Sequence, residues 1–257
     1  MDDTKPALNE HLSSQLRVWE SRPLLRRLYS DWHDLVERRL ASVRGSSVEL
    51  GSGIGGFAQG RPAIVSTDVE ETPWAQTIVD AENLPFEDGT VANLILIDVF
   101  HHLAAPGRFL SEAVRVLNSG GRIVMVEPYC SPLSTIAYRW FHVEDLDLSA
   151  DPLEENPSLR DSPMDANIAQ PTIAFFRRTE YLRRAFPELA LIERRRMSSV
   201  AYVLSGGYSR AQLVPDAFYR PLMLLERALG PLSPLLAFRC LVMLERAPRD
   251  QTAAEPS

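Results

Sequence analysis

Glu49-Leu50-Gly51-Ser52-Gly53-Ile54-Gly55 is the stretch whose residue types and spacing most plainly carry chemistry. Glycines close behind a short apolar run let the backbone turn sharply and let a cofactor lie against bare main chain. Gly51, Gly53 and Gly56 also satisfy G-x-G-x-x-G, a pattern that dinucleotide sites share. Two acids follow at set distances. Asp68 stands 17 residues after Gly51, and Asp80 another 12 further on. A carboxylate at the first place can accept both hydroxyls of a ribose. One at the second can accept from an exocyclic adenine amine while the next backbone N–H, that of Ala81, reaches a ring nitrogen. An adenosine is thereby accounted for, with no basic residue placed for a pyrophosphate.

A third acid, Asp98, ends a further apolar run and leads into Val99-Phe100-His101-His102. Imidazole, with an ordinary pKa near 6.5, suits proton transfer at neutral pH. A helical turn continuing from Val99 would bring His102 back over the face of Asp98. His101 is expected to pack or to meet solvent.

Composition narrows the chemistry further. Lys5 is the one lysine among 27 basic residues. A Walker A loop, a pyridoxal Schiff base and a Tyr-x-x-x-Lys dehydrogenase pair each need a lysine that this chain does not place. The histidines, 11, 33, 101, 102 and 142, form no H-E-x-x-H, and Cys130 and Cys240 no zinc-spaced pair, so no metal site is expected. Neither is there a G-x-S-x-G elbow. A net charge of −7 argues against a nucleic-acid interface, which needs a basic face. Two cysteines give no disulfide framework, and the polar start MDDTKPALNE is not a secretory signal, so a cytoplasmic setting is expected.

The elements that must position these residues follow from periodicity. Residues 1–45 read as helical, with Leu24, Leu28, Trp32, Leu35 and Leu40 near a 3.6 period, Ser21 as a cap, Pro23 in a first turn and Gly45 as the end. Short apolar runs at 48–50, 63–67, 76–79, 93–97 and 122–126 read as strands, and 108–117 as an amphipathic helix. Such alternation means a parallel sheet covered on both faces. Four of the five runs lead into a carboxylate, Asp68, Asp80, Asp98 and Glu127, and ligands bind beyond such strand ends. Residues 131–142 read as a helix. The acid-rich 144–165 reads as a loop or lid, a length of irregular chain that is often functional. A helix capped by Thr179, a sixth strand within 189–204, an apolar helix at 215–229 broken or restarted at Pro221, and a last strand at 235–245 complete the chain. Residues 248–257 read as a disordered tail.

VELGSGIGG, STD, DAENLPFEDGTVANLILIDVFHHL and FLSEAVRVLNSGGRIVMVEP, in that order over residues 48–128, resemble the class I S-adenosylmethionine-dependent methyltransferases of the type-11 group. YRWFHVED, VLSGGYS and FRCLVMLER extend the resemblance more weakly. It implies an α/β fold: a Rossmann-like seven-stranded, mostly parallel sheet whose last strand is antiparallel. A helical cap would lie at the N-terminus and inserted elements after strands five and six. One domain would span 1–247, with a cap at 1–45, a cofactor-binding core at 46–128, a lid or substrate insertion at 129–188 and C-terminal strands and helix at 189–247. S-adenosylmethionine would be the cofactor. Glu49, Gly51, Ser52, Gly53 and Gly55 would shape the pocket for its methionine part. Asp68 with Val69 would hold the ribose, Asp80 with Ala81 the adenine, and Asp98 would lie near the sulfonium. His102 matches the second position of the family's common His-His pair, close to the transferred methyl. It is the candidate base for a hydroxyl acceptor, with His142 and Glu127 as second choices.

Two other readings remain open on residues alone: a cofactor-binding module without turnover, and an NAD(P) oxidoreductase. The acceptor is expected to be a small molecule or one linked to a lipid or saccharide, with O-methylation favoured and no nucleic acid involved. The Arg-rich stretch 177–196 reads as a solvated face. The apolar stretch 213–244, with Phe218, Leu222, Leu225 and Leu229 on one helical face, reads as packing against the sheet or a second copy; its alternative is a peripheral membrane contact.

Overall fold

The computed structural model describes residues 4–141, 144–160 and 165–248; the segment read as a tail lies almost wholly outside them, as does His142. Seven strands form one sheet in the order β3-β2-β1-β4-β5-β7-β6: β1 (Ser46–Leu50), β2 (Ile64–Asp68), β3 (Thr77–Ile78), β4 (Val91–Ile97), β5 (Leu117–Pro128), β6 (Leu189–Met197) and β7 (Arg239–Arg246). β7 runs antiparallel to both β5 and β6, and the other pairings are parallel. This is the expected mostly parallel sheet with an antiparallel last strand. Insertions follow strands five and six, as expected.

The central strands β1, β4, β5 and β7 are largely buried because both faces of the sheet are covered there. Leu94, Leu96, Ile123 and Met125 point to one side, where α3 (Pro106–Val116) contributes Phe109, Leu110 and Ala113. Ile95, Val124 and Val126 point to the other, where α2 (Pro23–Glu37) contributes Leu25, Tyr29, Trp32 and Val36. α1 (Thr4–Ser21) precedes α2.

Several boundaries differ from expectation for identifiable reasons. α2 ends at Glu37, not at Gly45, because the backbone N–H and C=O of Ala41 are both taken by the Asn93 side chain on β4. Ser21 does not cap α2: its hydroxyl donates back to the Val18 carbonyl, and Arg22 takes the cap position. Thr179 likewise begins α6 (Thr179–Ala185) inside the helix, with Arg178 before it. Pro221 does not kink its helix. It lies in the first turn of α8 (Tyr219–Ala228), where its missing N–H costs nothing, after a 3₁₀ turn at Asp216–Phe218. β7 starts at Arg239 because Ser233–Leu236 forms a turn of helix, α9. Leu222 is buried against Leu24, Leu28 and Ala201, so α8 packs on the helical cap and not on the sheet.

The insertion after β5 comprises α4 (Pro132–Phe141), a strap described at 144–160, with a 3₁₀ turn at Pro157–Arg160, and at 165–169, one turn of α5 (Gln170–Thr172) and a π-helix at Ile173–Arg177. The strap is tied to the turn after β4. Asn167 donates its N–H to the His101 carbonyl at 2.9 Å, and the Gln170 amide donates to the carbonyls of Phe100 and Leu103. The short α7 (Ala201–Ser205) has its first N–H groups satisfied by Glu226 of α8. Among the described residues no helix is long and apolar enough to cross a membrane.

Candidate active site

The carboxyl ends of β1, β2, β3, β4 and β5 open on a cavity of about 830 Å³. Parallel strands deliver their C-terminal residues to one edge, so side chains far apart in sequence meet there. Glu49, Gly51, Ser52, Gly53, Asp68, Val69, Asp80, Ala81, Asp98 and His102 all line it. Gly55 does not: its φ is +75° and a Cβ there would meet the Trp74 side chain at 2.7 Å, so it serves close packing behind the turn.

The turn after β1 is built for close approach. Gly51 has φ +65°, and a Cβ would strike the Val99 side chain at 2.6 Å. A Cβ on Gly53, by contrast, would meet nothing within 4 Å. The Ser52 hydroxyl is buried with no hydrogen-bond partner among the described residues, a polar atom that a ligand at this turn can satisfy. Glu49 is 3% exposed and accepts the Ala58 N–H at 3.1 Å. Burial pushes its pKa up to about 7, against the pull of the backbone N–H groups it accepts. Asp68 accepts the Gly53 N–H at 2.8 Å, which ties the end of β2 to the glycine turn; burial raises its pKa. Asp80 accepts the Glu82 N–H at 2.8 Å. These residues fit an adenosine joined to an amino acid: bare backbone, an orphaned hydroxyl and acids at the ends of two strands.

Beyond this half lies a second, richer in aromatic rings. Asp98 adopts φ +59°, an uncommon backbone for a non-glycine residue. Its carboxylate holds that conformation through two distant partners, accepting from the Tyr29 hydroxyl at 2.7 Å and pairing with the Arg239 guanidinium. Arg239 in turn stacks 4.2 Å from the Tyr202 ring centroid and 5.5 Å from that of Trp32. Trp19, Tyr29, Tyr138, Tyr202 and Tyr208 all face the cavity. Sequence reasoning missed this set, because each member comes from a helix or strand remote from the glycine turn. The FRC of the last strand was its one available signal.

The turn after β4 is a 3₁₀ helix, Phe100–His102, and not a full α-helical turn. His102 donates its backbone N–H to Val99 at 2.9 Å. Its Nδ1 lies 3.1 Å from the Asp165 carbonyl, which can only accept, so Nδ1 carries the proton and Nε2 the lone pair. Burial first, and the neighbouring His101 second, lower its pKa to about 4, so the ring is neutral at pH 7.

His101 departs from the expectation of a packing or solvent-facing residue. It is buried on the cavity wall, its Nδ1 is 2.7 Å from Glu127, and its Nε2 is 3.6 Å from Glu144. Glu127 is fully buried, and burial pushes its pKa up to about 8. Its Oε1 accepts the N–H groups of Val99 and Phe100, at 2.9 and 2.7 Å, so a proton shared between Glu127 and His101 sits in the Oε2–Nδ1 contact. Glu127 therefore braces the turn and orients His101 rather than meeting a ligand.

Comparisons with known proteins bear on the domain and the fold. Residues 49–125 match the family model of a methyltransferase domain, type 11. A methyltransferase from Thermotoga maritima, described as S-adenosylmethionine-dependent and a possible histamine N-methyltransferase, shares the fold: TM-score 0.55, 17% identity, 93% of this chain and 99% of that one. So does geranyl diphosphate C-methyltransferase of Streptomyces coelicolor A3(2), solved with S-adenosyl-L-homocysteine: TM-score 0.50, 18% identity, 86% of this chain and 81% of that one. An uncharacterised 37.1 kDa protein of a Streptomyces fradiae transposon is 47% identical over 49 residues, 19% of this chain and 14% of that protein's length. Residues 49–125 thus carry the match to a methyltransferase domain, and the sheet they build has the fold of S-adenosylmethionine-dependent methyltransferases.

Proposed function

We propose that this chain transfers a methyl group from S-adenosylmethionine to an oxygen of a small-molecule, lipid-linked or saccharide-linked acceptor, with His102 as its catalytic residue. The observation that carries the reading is the lone pair of His102 Nε2. It belongs to a neutral imidazole, held by the Asp165 carbonyl, on the wall of the cavity that Asp98 also lines. When bound, the cofactor supplies a methyl carbon on a sulfonium, which leaves as a neutral thioether and needs no acid. The protein then has three tasks: alignment, exclusion of water and removal of the acceptor's proton. Asp68 and Val69 hold the ribose, and Asp80 and Ala81 hold the adenine. Glu49, Gly51, Ser52 and Gly53 enclose the methionine part, with Gly55 packing behind them. Asp98, fixed by Tyr29 and Arg239, faces the reacting end. His102 takes the proton as the oxygen–carbon bond forms and the sulfur–carbon bond breaks.

The aromatic walls suit an acceptor with apolar surface. Outside the cavity, Ile136 and Trp140 of α4 and Leu235 of the adjoining α9 are exposed, at 59%, 78% and 53%. That surface supports a lipid-linked acceptor and a peripheral membrane contact.

Incubating the protein with methyl-labelled cofactor and a cell extract tests the activity. Label is expected in a chloroform- or water-soluble small molecule; no transfer from a protein that binds the cofactor would make it a binding module. Calorimetry tests the site. S-adenosylmethionine and S-adenosylhomocysteine are expected to bind and NAD is not. Asp68→Ala should weaken cofactor binding by about 1.5–3 kcal/mol, the scale of charge-assisted hydrogen bonds. Unchanged affinity in that variant would remove Asp68 from the ribose.

Glu49 makes the affinity pH-dependent. Its carboxyl titrates near 7 in the free protein. The ammonium of a bound methionine favours the carboxylate, so the pKa falls on binding and a proton is released. Affinity therefore rises with pH up to about 7, by at most about tenfold per unit, and levels off above it. Titrations from pH 5.5 to 8.5 in buffers of different ionisation enthalpy should show that proton, and Glu49→Gln should abolish the dependence.

A further inference from the structure

Glu144, on the strap after α4, meets the turn after β4 and completes a cluster there. One ring nitrogen each of His101 and His102 and a carboxylate oxygen of Glu144 lie within 4.8 Å of one another. All three residues line the cavity. We propose that His101, His102 and Glu144 form a site for a divalent transition-metal ion of the Zn²⁺ and Co²⁺ class, on the acceptor side of the cavity.

Three features beyond proximity point this way. First, the tautomers are set for it. His102 Nδ1 is occupied by the Asp165 carbonyl and His101 Nδ1 by Glu127, which leaves Nε2 of each ring as the atom that can bind an ion. Second, the support is that of a ligand shell. A metal-bound imidazole usually gives its other N–H to a carboxylate or carbonyl, which fixes the ring and raises its basicity. Here one ring has each kind of partner, and the carboxylate, Glu127, is itself pinned by two backbone N–H groups. Third, the spans nearly fit. Bonds of about 2.0–2.2 Å place ligand atoms roughly 3–4.3 Å apart. His101 Nε2 and Glu144 are already at 3.6 Å, and the other separations, within 4.8 Å, close with a few tenths of an ångström of side-chain movement.

The donor set selects the ion. Two nitrogens and one oxygen suit Zn²⁺, Co²⁺, Mn²⁺ or Fe²⁺ better than Mg²⁺ or Ca²⁺, which take oxygens. Three protein ligands leave at least one position open to the cavity. What the ion does there rests on the methyl-transfer reading; that it binds does not. An acceptor oxygen in the open position makes the acceptor an alcohol, phenol or enol. The ion lowers that oxygen's pKa, its proton passes to water in the cavity, and His102 serves as a ligand. Without the ion, the same Nε2 takes the proton directly.

The test uses the full chain without an affinity tag, stripped with a chelator and titrated with Co²⁺. About one Co²⁺ per chain is expected, with visible d–d absorption that Zn²⁺ abolishes. His102→Ala and Glu144→Ala should each weaken Co²⁺ binding at least about tenfold. Glu127→Gln, which does not touch the ion, should weaken it about 10–100-fold; should that buried variant not fold, Glu144→Ala on the strap decides. Absence of stoichiometric Co²⁺, or binding unchanged in both ligand variants, overturns the site and leaves Glu144 as an ion-pair partner of His101. The two readings fail separately. Co²⁺ bound by a protein that transfers no methyl group sinks the enzyme and keeps the site. Methyl transfer that survives chelation, with no Co²⁺ bound, sinks the site and keeps His102 as the base.

Discussion

His102→Ala is expected to lower kcat for methyl transfer by about 10²–10⁴-fold and to leave cofactor affinity nearly unchanged. The range is that of a positioned group acting on the proton of a reacting atom. The two halves of the cavity explain the split between rate and binding. The half proposed for the cofactor is made by the glycine turn and by Asp68 and Asp80, whose hydrogen bonds do not involve the His102 ring. The imidazole is held by the Asp165 carbonyl alone on its Nδ1 side, so truncation removes a reactive nitrogen without unpairing a second side chain. His102→Gln should not rescue the rate: an amide can position a hydroxyl, but it cannot accept its proton and ligates a transition-metal ion poorly. Single-turnover rates with labelled cofactor, set beside calorimetric affinities, give both numbers. A glutamine variant with most of the wild-type rate would reduce His102 to orienting the acceptor. An alanine variant of normal rate but lower melting temperature would make it a packing residue.

That three of the acids at the strand ends line one cavity was legible in the sequence for a topological reason. In a parallel sheet each strand ends at the same edge, so reading where an apolar run stops also reads where its last residue goes. Asp68, Asp80 and Asp98 could be brought together without knowing a single long-range contact. The other half is made of such contacts. Tyr29 and Arg239 lie 69 and 141 residues from the Asp98 they hold, and Asp165 lies 63 from His102. Periodicity showed that Tyr29 belongs to an amphipathic helix and Arg239 to an apolar strand. It could not show that the helix crosses the sheet where the strand begins. His101 illustrates the same limit at shorter range. Its neighbours in sequence give it no partner, and its environment is set by Glu127 on the adjacent strand and Glu144 on the strap. Helix caps failed for a local reason: Ser21 and Thr179 are good capping types, but their hydroxyls compete for nearby carbonyls or sit one residue inside the helix.

Arg239→Ala is expected to destabilise the folded chain by about 3 kcal/mol, the lower end of the cost of removing one partner from a buried ion pair. Arg239 is 5% exposed and pairs with Asp98, whose side chain is 25% exposed on the cavity wall. Partial access to water places the cost at that lower end. For a domain of this size the change corresponds to a melting temperature lower by about 10 °C. Loss of the guanidinium also removes its stacking on Tyr202 and Trp32, so Arg239→Lys should recover the charge and only part of the stability. Asp98 would keep its φ of +59° on the Tyr29 hydroxyl alone. Relaxation of that backbone would shift the start of the turn that carries His101 and His102, so activity should fall beyond what the lost stability explains. The Asp98→Asn, Arg239→Ala double variant decides whether the pair acts as a unit. Removing the charge that the single variant strands should make the double variant more stable than the sum of the two changes allows. Strict additivity in thermal and urea unfolding would mean that Arg239 stabilises the sheet edge through its aromatic neighbours, and that Asp98 is held by α2 without it.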